Sequence, residues 1–326
     1  MDDRDLTAAT AESYRAFALE AAGRSPSYER LAAGTAGDET ILSFLAGLPP
    51  AKRQPNLLFA AARYLLGGPP DLESLRSLVA GRGGELASVM RTRRTQTNEA
   101  ARCATLLPLL ATLPGPLALI EVGASAGLTL LPDRFSYDYG GTRVRGTDPD
   151  APVIACEPRG PVPLPGRVPD IAWRAGLDLN PLDITSDDDM HWLECLIWPG
   201  EEGRLARLRA AIATARRRPP RIVQGDLLTD LPALAGQAPA DATLVIFHSA
   251  VLAYVDPPRR AEFAATVAGL GAVWISNEAP RVVPATGWRG HAVASRYGNK
   301  CFALMRDGQG PLAFTDSHGA WLHWLA

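Results

Sequence analysis

The sequence predicts an α/β fold, in which an all-helical N-terminal domain precedes a doubly wound, mostly parallel sheet that ends in an antiparallel hairpin. Three observations lead to this prediction. Residues 1–115 carry apolar side chains at helical spacing, whereas residues 117–326 alternate short apolar runs with helical segments. Buried parallel strands that are joined by helices form doubly wound sheets. The last two predicted strands flank the turn 307–310, and its sequence Asp-Gly-Gln-Gly favours a hairpin.

The composition is that of an ordinary globular protein. Of 326 residues, 47% are hydrophobic and 21% are charged, and this length suggests about two domains. The formal net charge of −2 gives no overall basic field that would attract nucleic acid or an anionic membrane. The cysteines are scattered, without a C-x-x-C pair, so we expect reduced thiols, no metal site and a cytoplasmic location. The acidic N-terminus leads into no apolar signal core.

The two predicted domains, 1–115 and 116–326, differ in the period of their apolar residues. We interpret the first as a helical domain that helps to cover the site of the second. A proline-rich stretch at about 140–173 is too irregular for a crossover helix and indicates an insertion. Helices are predicted at 13–22, 40–48, 56–66, 72–80, 98–113, 125–131, 187–197, 201–218, 250–255 and 259–270. Strands are predicted at 117–122, 134–139, 153–156, 171–179, 221–225, 242–248, 272–276, 300–306 and 312–315.

The most informative stretch is Gly123-Ala-Ser-Ala-Gly127, which we call the glycine turn. It follows the apolar run 117–120 and Glu121, an order typical of a strand, a tight turn and a helix. Gly123 and Gly127 would let a ligand approach the backbone closely, and Glu121 would balance a cationic group. The turn lacks the spacing G-x-G-x-x-G, which disfavours NAD or FAD.

The same turn also satisfies the pattern G-x-S-x-G of a serine hydrolase. In that interpretation Ser125 is the nucleophile, with His291 or His318 as the histidine of a catalytic triad. The context disfavours it, because the upstream residues predict helices and no His-Gly-Gly oxyanion motif occurs. Glu121 would also have no role in that mechanism. A packing turn without any ligand is a further alternative.

Polar residues follow the next predicted strands as well. Asp226 comes after the strand at 221–225, His248 and Tyr254 come at and after the end of 242–248, and Glu278 follows 272–276. Because parallel strands end at one edge of a sheet, these residues predict a ligand-binding rim. His248 or Glu278 would act as a general base, and Tyr254 would orient a nucleophile. The alternative for His248 is a hydrogen-bonded rim residue.

This order of motifs resembles the class I S-adenosylmethionine-dependent methyltransferases. The resemblance covers 116–326 and implies a Rossmann-like domain with S-adenosylmethionine as cofactor. It implies that Asp226 lies by the adenine and that an acid after the second strand holds the ribose. Asp138 and Asp178 are both candidates for that acid, and Asp178 is narrowly favoured. The residues that would line the methionine part are Glu121, Gly123, Ser125 and Gly127.

A closer resemblance spans nearly the whole chain. The phrases at 94–102, 121–128, 174–183, 192–199 and 318–321 are similar to an uncharacterised bacterial family, the domain of unknown function numbered 2332, which is common in actinobacteria. This resemblance implies a fold but no reaction.

Further polar residues are candidates for binding. Asn98 and Arg102 share a helix face in the predicted helix, where Asn98 would contact the cofactor and Arg102 the substrate. The alternative is a solvated helix start with Asn98 as its N-cap. Arg174, near Asp183, would bind a substrate carboxylate as a bidentate fork, or it would form a structural Arg–Asp pair.

The sequence therefore predicts an S-adenosylmethionine-dependent methyltransferase that acts on a small molecule. Alignment of the reactants supplies most of the catalysis in such a reaction. Partners such as nucleic acid or a membrane are not expected. The alternatives are a serine hydrolase that uses Ser125, and a non-catalytic cofactor-binding or scaffold protein.

Overall fold

The computed structural model describes residues 3–280, 282, 296–297 and 301–325. Its helices are α1 (Asp3–Ala21), α2 (Pro26–Thr35), α3 (Glu39–Ala46), α4 (Pro55–Leu66), α5 (Leu72–Thr92), α6 (Arg102–Leu110), α7 (Asp187–Cys195), α8 (Glu202–Arg217), α9 (Leu231–Ala235) and α10 (Pro257–Gly269). Its strands are β1 (Leu117–Val122), β2 (Ser136–Tyr139), β3 (Thr142–Val144), β4 (Val153–Ala155), β5 (Glu157–Arg159), β6 (Ile171–Asp178), β7 (Arg221–Gln224), β8 (Thr243–Ser249), β9 (Val273–Glu278), β10 (Cys301–Arg306), β11 (Gln309–Asp316) and β12 (Trp321–Trp324). Short 3-10 turns lie at Pro50–Lys52, Leu128–Leu130 and Leu252–Tyr254.

Local sequence explains where several helices begin and end. The Asp38 carboxylate accepts a hydrogen bond from the Ile41 N–H and so starts α3. Asp71 and Ser74 form a reciprocal capping box at the start of α5. Gly67 ends α4 in the left-handed conformation, with a φ of 73°. These helices therefore start and stop where side chains or glycine satisfy the free backbone groups.

The structure is a mixed α/β fold with a large, mostly parallel sheet. Within the described residues this sheet has nine strands in the order β7-β6-β1-β8-β9-β10-β11-β12-β5. From β7 to β9 all neighbours are parallel, and β10, β11 and β12 follow as antiparallel neighbours. The predicted hairpin is present, because β10 pairs antiparallel with β11. Strand β1 is buried along its whole length.

Contacts divide the chain into two compact units, Met1–Thr97 with Asp187–Ala206 and Asn98–Ser186 with Arg207–Ala326. This division by contacts falls at 97/98, since α6 makes hydrogen bonds within the second unit, and the predicted domains 1–115 and 116–326 stay a prediction. The Tyr139 hydroxyl, for example, donates to the Ala104 carbonyl at 2.7 Å. The core of the first unit gathers Tyr14, Phe17, Tyr28 and Phe59 with Trp198.

Several predicted elements differ from those observed. The helix predicted at 125–131 is wrong: only the 3-10 turn at Leu128–Leu130 forms, because Gly127 is left-handed with a φ of 75° and Pro132 disfavours helix at the residue before it. The helix predicted at 250–255 is likewise a 3-10 turn, which follows the left-handed Ala250. The C-terminal segment pairs with β11 as the strand β12, and α2 and α9 were not predicted.

The predicted strand at 134–139 forms β2, but in a different sheet. It pairs with β3 and β4 in a separate sheet of three strands. Asp138 therefore lies outside the large sheet, whereas Asp178 ends β6, the parallel neighbour of β1. In the predicted insertion, β5 pairs with β12 at the edge of the large sheet.

Candidate functional site

Parallel strands bring the predicted site residues to one edge of the sheet, but on two different faces. Side chains alternate between faces along a strand, and register partners of parallel strands share a face. Glu121 pairs in register with Phe247, so it faces the same side as Ser249 and as α6. His248 faces the other side, where its ring packs against Phe263 of α10 at 5.6 Å between centroids. Glu121 and the pair His248–Glu278 are therefore not parts of one cluster.

Glu121 is a buried carboxyl group with one unsatisfied oxygen. Its Oε1 accepts a short hydrogen bond from the Thr129 hydroxyl. Its Oε2 is buried and makes no hydrogen bond with any residue that the structure describes. Burial raises the pKa of Glu121 to about 8, and Asp178 adds to the rise, although the Thr129 bond and Arg102 oppose it. Near neutral pH a cation beside Oε2 would favour the ionised form.

The two glycines of the glycine turn are required by backbone conformation and by packing. Gly123 has a φ of 72°, and its N–H donates to the Leu177 carbonyl of β6 at 2.8 Å. A Cβ placed on Gly123 would lie 2.4 Å from Cγ2 of Val251. A Cβ on Gly127 would lie 2.7 Å from Cδ1 of Ile222. Side chains of the second unit thus fill the space beside both glycines.

Ser125, in the middle of the glycine turn, is tied to the end of β6. Its φ of 52° is left-handed, a conformation that non-glycine residues rarely adopt. Its N–H donates to Oδ2 of Asp178 at 2.8 Å, while the Asn180 N–H donates to Oδ1 at 2.7 Å. Its Oγ is buried and has no hydrogen-bond partner within the described residues. Asp178 therefore holds the turn in place through the backbone and leaves the Ser125 hydroxyl uncommitted.

Asn98 holds the glycine turn from the opposite side. Its Nδ2 donates to the Ala124 carbonyl at 3.1 Å, and its Oδ1 accepts from the Leu128 N–H at 2.8 Å. It precedes α6, so it does not share a helix face with Arg102. Arg102 is buried and donates to the Ser249 carbonyl at 3.0 Å and to the Ser317 carbonyl at 2.9 Å. Asn98 thus supports the turn after β1, and Arg102 connects the ends of β8 and β11, in both cases through backbone groups.

His248 and Glu278 form a buried pair at the ends of β8 and β9. The Trp274 indole N–H donates to Nε2 of His248 at 3.0 Å, which leaves the proton on Nδ1. Nδ1 then donates to Oε1 of Glu278 at 2.7 Å. The His248 ring has no exposed surface, and both its nitrogens are engaged. Tyr254, in contrast, is 76% exposed.

The remaining predicted residues take part in local contacts. Arg174 forms a bidentate ion pair with Asp133, at 2.7 and 2.9 Å, and this aspartate is not one of those that the sequence analysis placed near Arg174. Asp183 accepts hydrogen bonds from the N–H and hydroxyl of Thr185. Asp226 accepts from Arg259 at 2.7 Å. Burial raises the pKa of Asp226, but its hydrogen bonds with Arg259 and Leu228 outweigh burial and keep that pKa below its ordinary value.

Among the described residues, no histidine forms a hydrogen bond with the Ser125 hydroxyl. His291 lies outside the described residues, and the backbone N–H of His318 donates to Asp316 in the turn before β12. Between residues 3 and 116, the described chain contains helices and one 3-10 turn but no strand. The arrangement of strands that precedes a nucleophile elbow in hydrolases is thus missing from that part.

Three residues at the site were not predicted from the sequence. Thr129 bonds Glu121, Val251 packs on Gly123, and Asn277 lies buried between Ser249 and Thr315. Asn277 precedes the predicted Glu278 at the same strand end, and this position was the one feature of the sequence that could have indicated Asn277 as a site residue. The partners of Thr129 and Val251 depend on tertiary contacts that no local pattern records.

Comparison with known proteins identifies a family. A family model described as "Uncharacterized protein conserved in bacteria (DUF2332)" matches residues 11–324. No curated protein and no solved structure matches the chain. None of the helices in the described ranges has the length and apolar character that crossing a membrane requires.

Proposed function

This chain belongs to the uncharacterised bacterial family DUF2332, and we propose that it is an S-adenosylmethionine-dependent methyltransferase that acts on a small molecule. The observation that carries the proposal is the order of the parallel strands. The parallel block of the large sheet contains five strands, which occur along the chain as β1, β6, β7, β8 and β9. Numbered one to five in that sequence, they lie side by side in the order 3-2-1-4-5. This is the order of a Rossmann-like, doubly wound sheet.

A doubly wound sheet binds its ligand outside the carboxyl ends of the strands, where the strand order reverses. Here the order reverses between β1 and β8. Glu121 and the glycine turn end β1, and Asp178 ends β6 beside them. The proposal thus rests on a turn with a buried acid at the position where such sheets hold a nucleotide-like cofactor.

The residues present fit this cofactor at its polar groups. Oε2 of Glu121 and Oγ of Ser125 are buried oxygens without a hydrogen-bond partner among the described residues, so they would accept from the ammonium group of the methionine part. Asp178 uses its carboxylate for two backbone N–H groups, but each carboxylate oxygen has a second lone pair for a ribose hydroxyl. Asp226, paired with Arg259, would lie by the adenine.

The proposed reaction asks little covalent chemistry of the chain. The cofactor, when bound, supplies an electrophilic methyl group. The task of the protein is to align the acceptor and to exclude water. Glu121 would provide a charge opposite to the cationic ligand, and Asn98 would keep the glycine turn in shape. His248 donates to Glu278, and Glu278 also accepts from the backbone of the turn after β8, so we expect both residues to support the site as positioning residues.

The serine hydrolase is the less favoured alternative, because the described residues give Ser125 no histidine partner. A non-catalytic cofactor-binding protein has the same site without the reaction. Both alternatives are separated from the proposal by direct measurements. Fluorophosphonate labelling that disappears in Ser125→Ala would favour the hydrolase. Binding of the cofactor without turnover on a broad panel of acceptors would favour the non-catalytic cofactor-binding protein.

The test of the proposal is calorimetric titration with S-adenosylmethionine and S-adenosylhomocysteine at pH 8.5, where Glu121 of the free protein is largely ionised. We expect saturable binding that weakens about tenfold in Glu121→Gln, because an amide loses the charge of the carboxylate. The matched control is Glu157→Gln, which changes an exposed glutamate on β5 and should bind as the wild type does. Absence of heat and of a thermal shift at millimolar ligand would contradict the proposal.

A further inference from the structure

The turn after β8 closes one side of the glycine turn. Val251 packs so closely on Gly123 that a Cβ on the glycine would lie 2.4 Å from Cγ2 and 3.0 Å from Cγ1 of the valine. Gly123 ends the central strand, next to the position where the strand order reverses. The valine therefore fills the space between the ends of β1 and β8.

The position of Val251 is fixed by its backbone. Ala250 is left-handed, with a φ of 61°, and its N–H donates to the Asn277 carbonyl at 3.2 Å. The N–H groups of Val251 and Leu252 both donate to Oε1 of Glu278, at 2.8 and 3.1 Å. A buried carboxylate that accepts two amides holds a turn firmly.

Glu278 is itself held in position by His248. His248 donates to the same Oε1, and Trp274 donates to His248. His248 and Glu278 are fully buried and Trp274 is partly buried, so this chain of hydrogen bonds gives the turn a firm support. A non-glycine residue in left-handed conformation persists only where its surroundings over-determine it.

The other side of the glycine turn is built differently. There Ser125 and Asp178 present polar atoms, and Leu179 at the end of β6 is 57% exposed. One side is thus closed by an aliphatic side chain on a rigid turn, and the other carries polar groups beside an exposed apolar residue.

We propose that Val251 is a specificity-determining residue: it closes the β8 side of the glycine turn, and the size of its side chain limits the group that a ligand can place there. This inference rests on the proposed function, because it takes the glycine turn as the ligand-binding element. On the proposed function, the limited group would be the alkyl substituent of the sulfonium, because Val251 lies against the glycine turn that would hold the methionine part. His248 and Glu278 are then positioning residues that act through the turn.

The first test compares S-adenosylmethionine with S-adenosylethionine, which carries an ethyl group in place of the methyl. One methylene in an apolar pocket changes affinity by about 10- to 200-fold. We expect the wild type to prefer the methyl compound at least about tenfold in titration calorimetry, and Val251→Ala to reduce this preference to about threefold or less. Val255→Ala is the matched control, since Val255 is another partly buried valine of the same segment and the same core. It should keep the wild-type preference.

The outcomes separate this inference from the function on which it rests. An unchanged preference in Val251→Ala overturns the inference and leaves the proposed function standing. Binding by Val251→Ala alone, with no binding by the wild type, would overturn the proposed function and the inference, because Val251 would then exclude the ligand from the natural protein. Absence of binding by the wild type, Val251→Ala and Val255→Ala overturns the proposed function and the inference together.

A second measurement tests the contact without any ligand. In Gly123→Ala the new Cβ meets Val251, so we expect a lower urea midpoint of unfolding. Adding Val251→Ala to that variant should raise the midpoint, whereas Val251→Ala in the wild type should lower it. Adding Val255→Ala to Gly123→Ala should give no such rise. Equal effects of Val251→Ala in both backgrounds would overturn the inference, because Val251 would then not close the space over Gly123.

Discussion

Glu121 shows how burial and a single hydrogen bond set the chemistry of a residue. The strand β1 places it at the edge of the sheet, where its carboxyl group is buried and one oxygen meets Thr129. Removal from water disfavours the charged form, so its pKa rises from 4.5 to about 8. A ligand cation beside Oε2 would shift the equilibrium back to the carboxylate and release a proton. We therefore expect cation binding to strengthen as the pH rises toward 8.

The raised pKa also predicts a pH dependence of stability. The folded protein binds a proton on Glu121 more tightly than the unfolded chain does. The resulting stabilisation is fully present below pH 4.5 and is lost as the pH rises through 8. At about 1.4 kcal/mol per pKa unit, the contribution is on the order of a few kcal/mol. In Glu121→Gln we expect the free energy of unfolding to change less between pH 5 and 8 than in the wild type.

Urea unfolding at a series of pH values measures this effect. Glu157→Gln is the control, because the pKa of Glu157 lies below its ordinary value through its hydrogen bond with Arg159, and it therefore does not titrate between pH 5 and 8. Parallel pH curves for the wild type and Glu121→Gln would mean that Glu121 ionises in the folded protein as it does in the unfolded chain.

At the scale of an element, the glycine turn is a short loop that neighbours hold from two sides. Asn98 bonds the Ala124 carbonyl within the turn and the Leu128 N–H just after it, and Asp178 bonds the Ser125 N–H. Gly176 of β6 lies opposite Glu121 in register, and a Cβ there would come within 2.5 Å of Cβ of Ala124. The conformation of the glycine turn is thus set by β6 and by Asn98, and only in part by its own sequence.

This support predicts the effect of removing Asn98. Asn98→Ala leaves the buried Ala124 carbonyl and Leu128 N–H without their partner, which costs about 1–3 kcal/mol for each unsatisfied buried group. Asn98→Asp keeps an acceptor for the Leu128 N–H but loses the donor, so we expect an intermediate loss of stability. Hydrogen exchange at the Leu128 amide should speed up in Asn98→Ala and less in Asn98→Asp.

Asn56→Ala is the comparison for this experiment. It removes the acceptor of the Trp198 indole N–H in the first unit, so it should not change exchange at Leu128. Unchanged exchange at Leu128 in Asn98→Ala would show that the turn keeps its shape without this side chain.

The same elements show what the sequence could predict. Apolar residues in β1, β6, β8 and β9 located these strands, because parallel strands in the middle of a sheet carry short apolar runs. The methyltransferase resemblance favoured Asp178 only narrowly over Asp138, and the position of Asp178 beside the glycine turn is known from the structure. The partner of Arg174 could not be predicted, because Asp133 lies 41 residues earlier and no local pattern joins them. The two faces that separate Glu121 from His248 followed from a register that only the fold defines.

At the scale of the whole molecule, the chain returns to its first unit after leaving it. The segment Asp187–Ala206 belongs with Met1–Thr97, and Trp192, Cys195 and Trp198 complete the core of those helices. Periodicity identified the helices of both segments except α2, but it could not assign the later segment to the earlier unit. The proposed site, in contrast, is built from residues of the second unit alone.

Trp198 is the residue through which this assignment is best tested. Its ring lies 4.9 Å from that of Phe17 and 6.2 Å from that of Tyr28, and the Arg24 guanidinium lies 4.7 Å above it. Its indole N–H donates to Asn56 at 2.8 Å. Removing a buried tryptophan side chain costs about 3–5 kcal/mol. We therefore expect Trp198→Ala to speed hydrogen exchange in α1, α2 and α4, while exchange in β1 and β8 stays as in the wild type.

Trp324→Ala is the control, because Trp324 lies half-buried on β12 in the second unit and should leave α1, α2 and α4 protected. Exchange followed by mass spectrometry resolves these segments in the full chain. An equal loss of protection in β1 and β8 would mean that both units unfold in one cooperative step, since a tryptophan of one core would then stabilise the other. Protection that stays unchanged everywhere would mean that the segment around Trp198 is not part of the first core, against the packing of Trp198 on Phe17 and Tyr28.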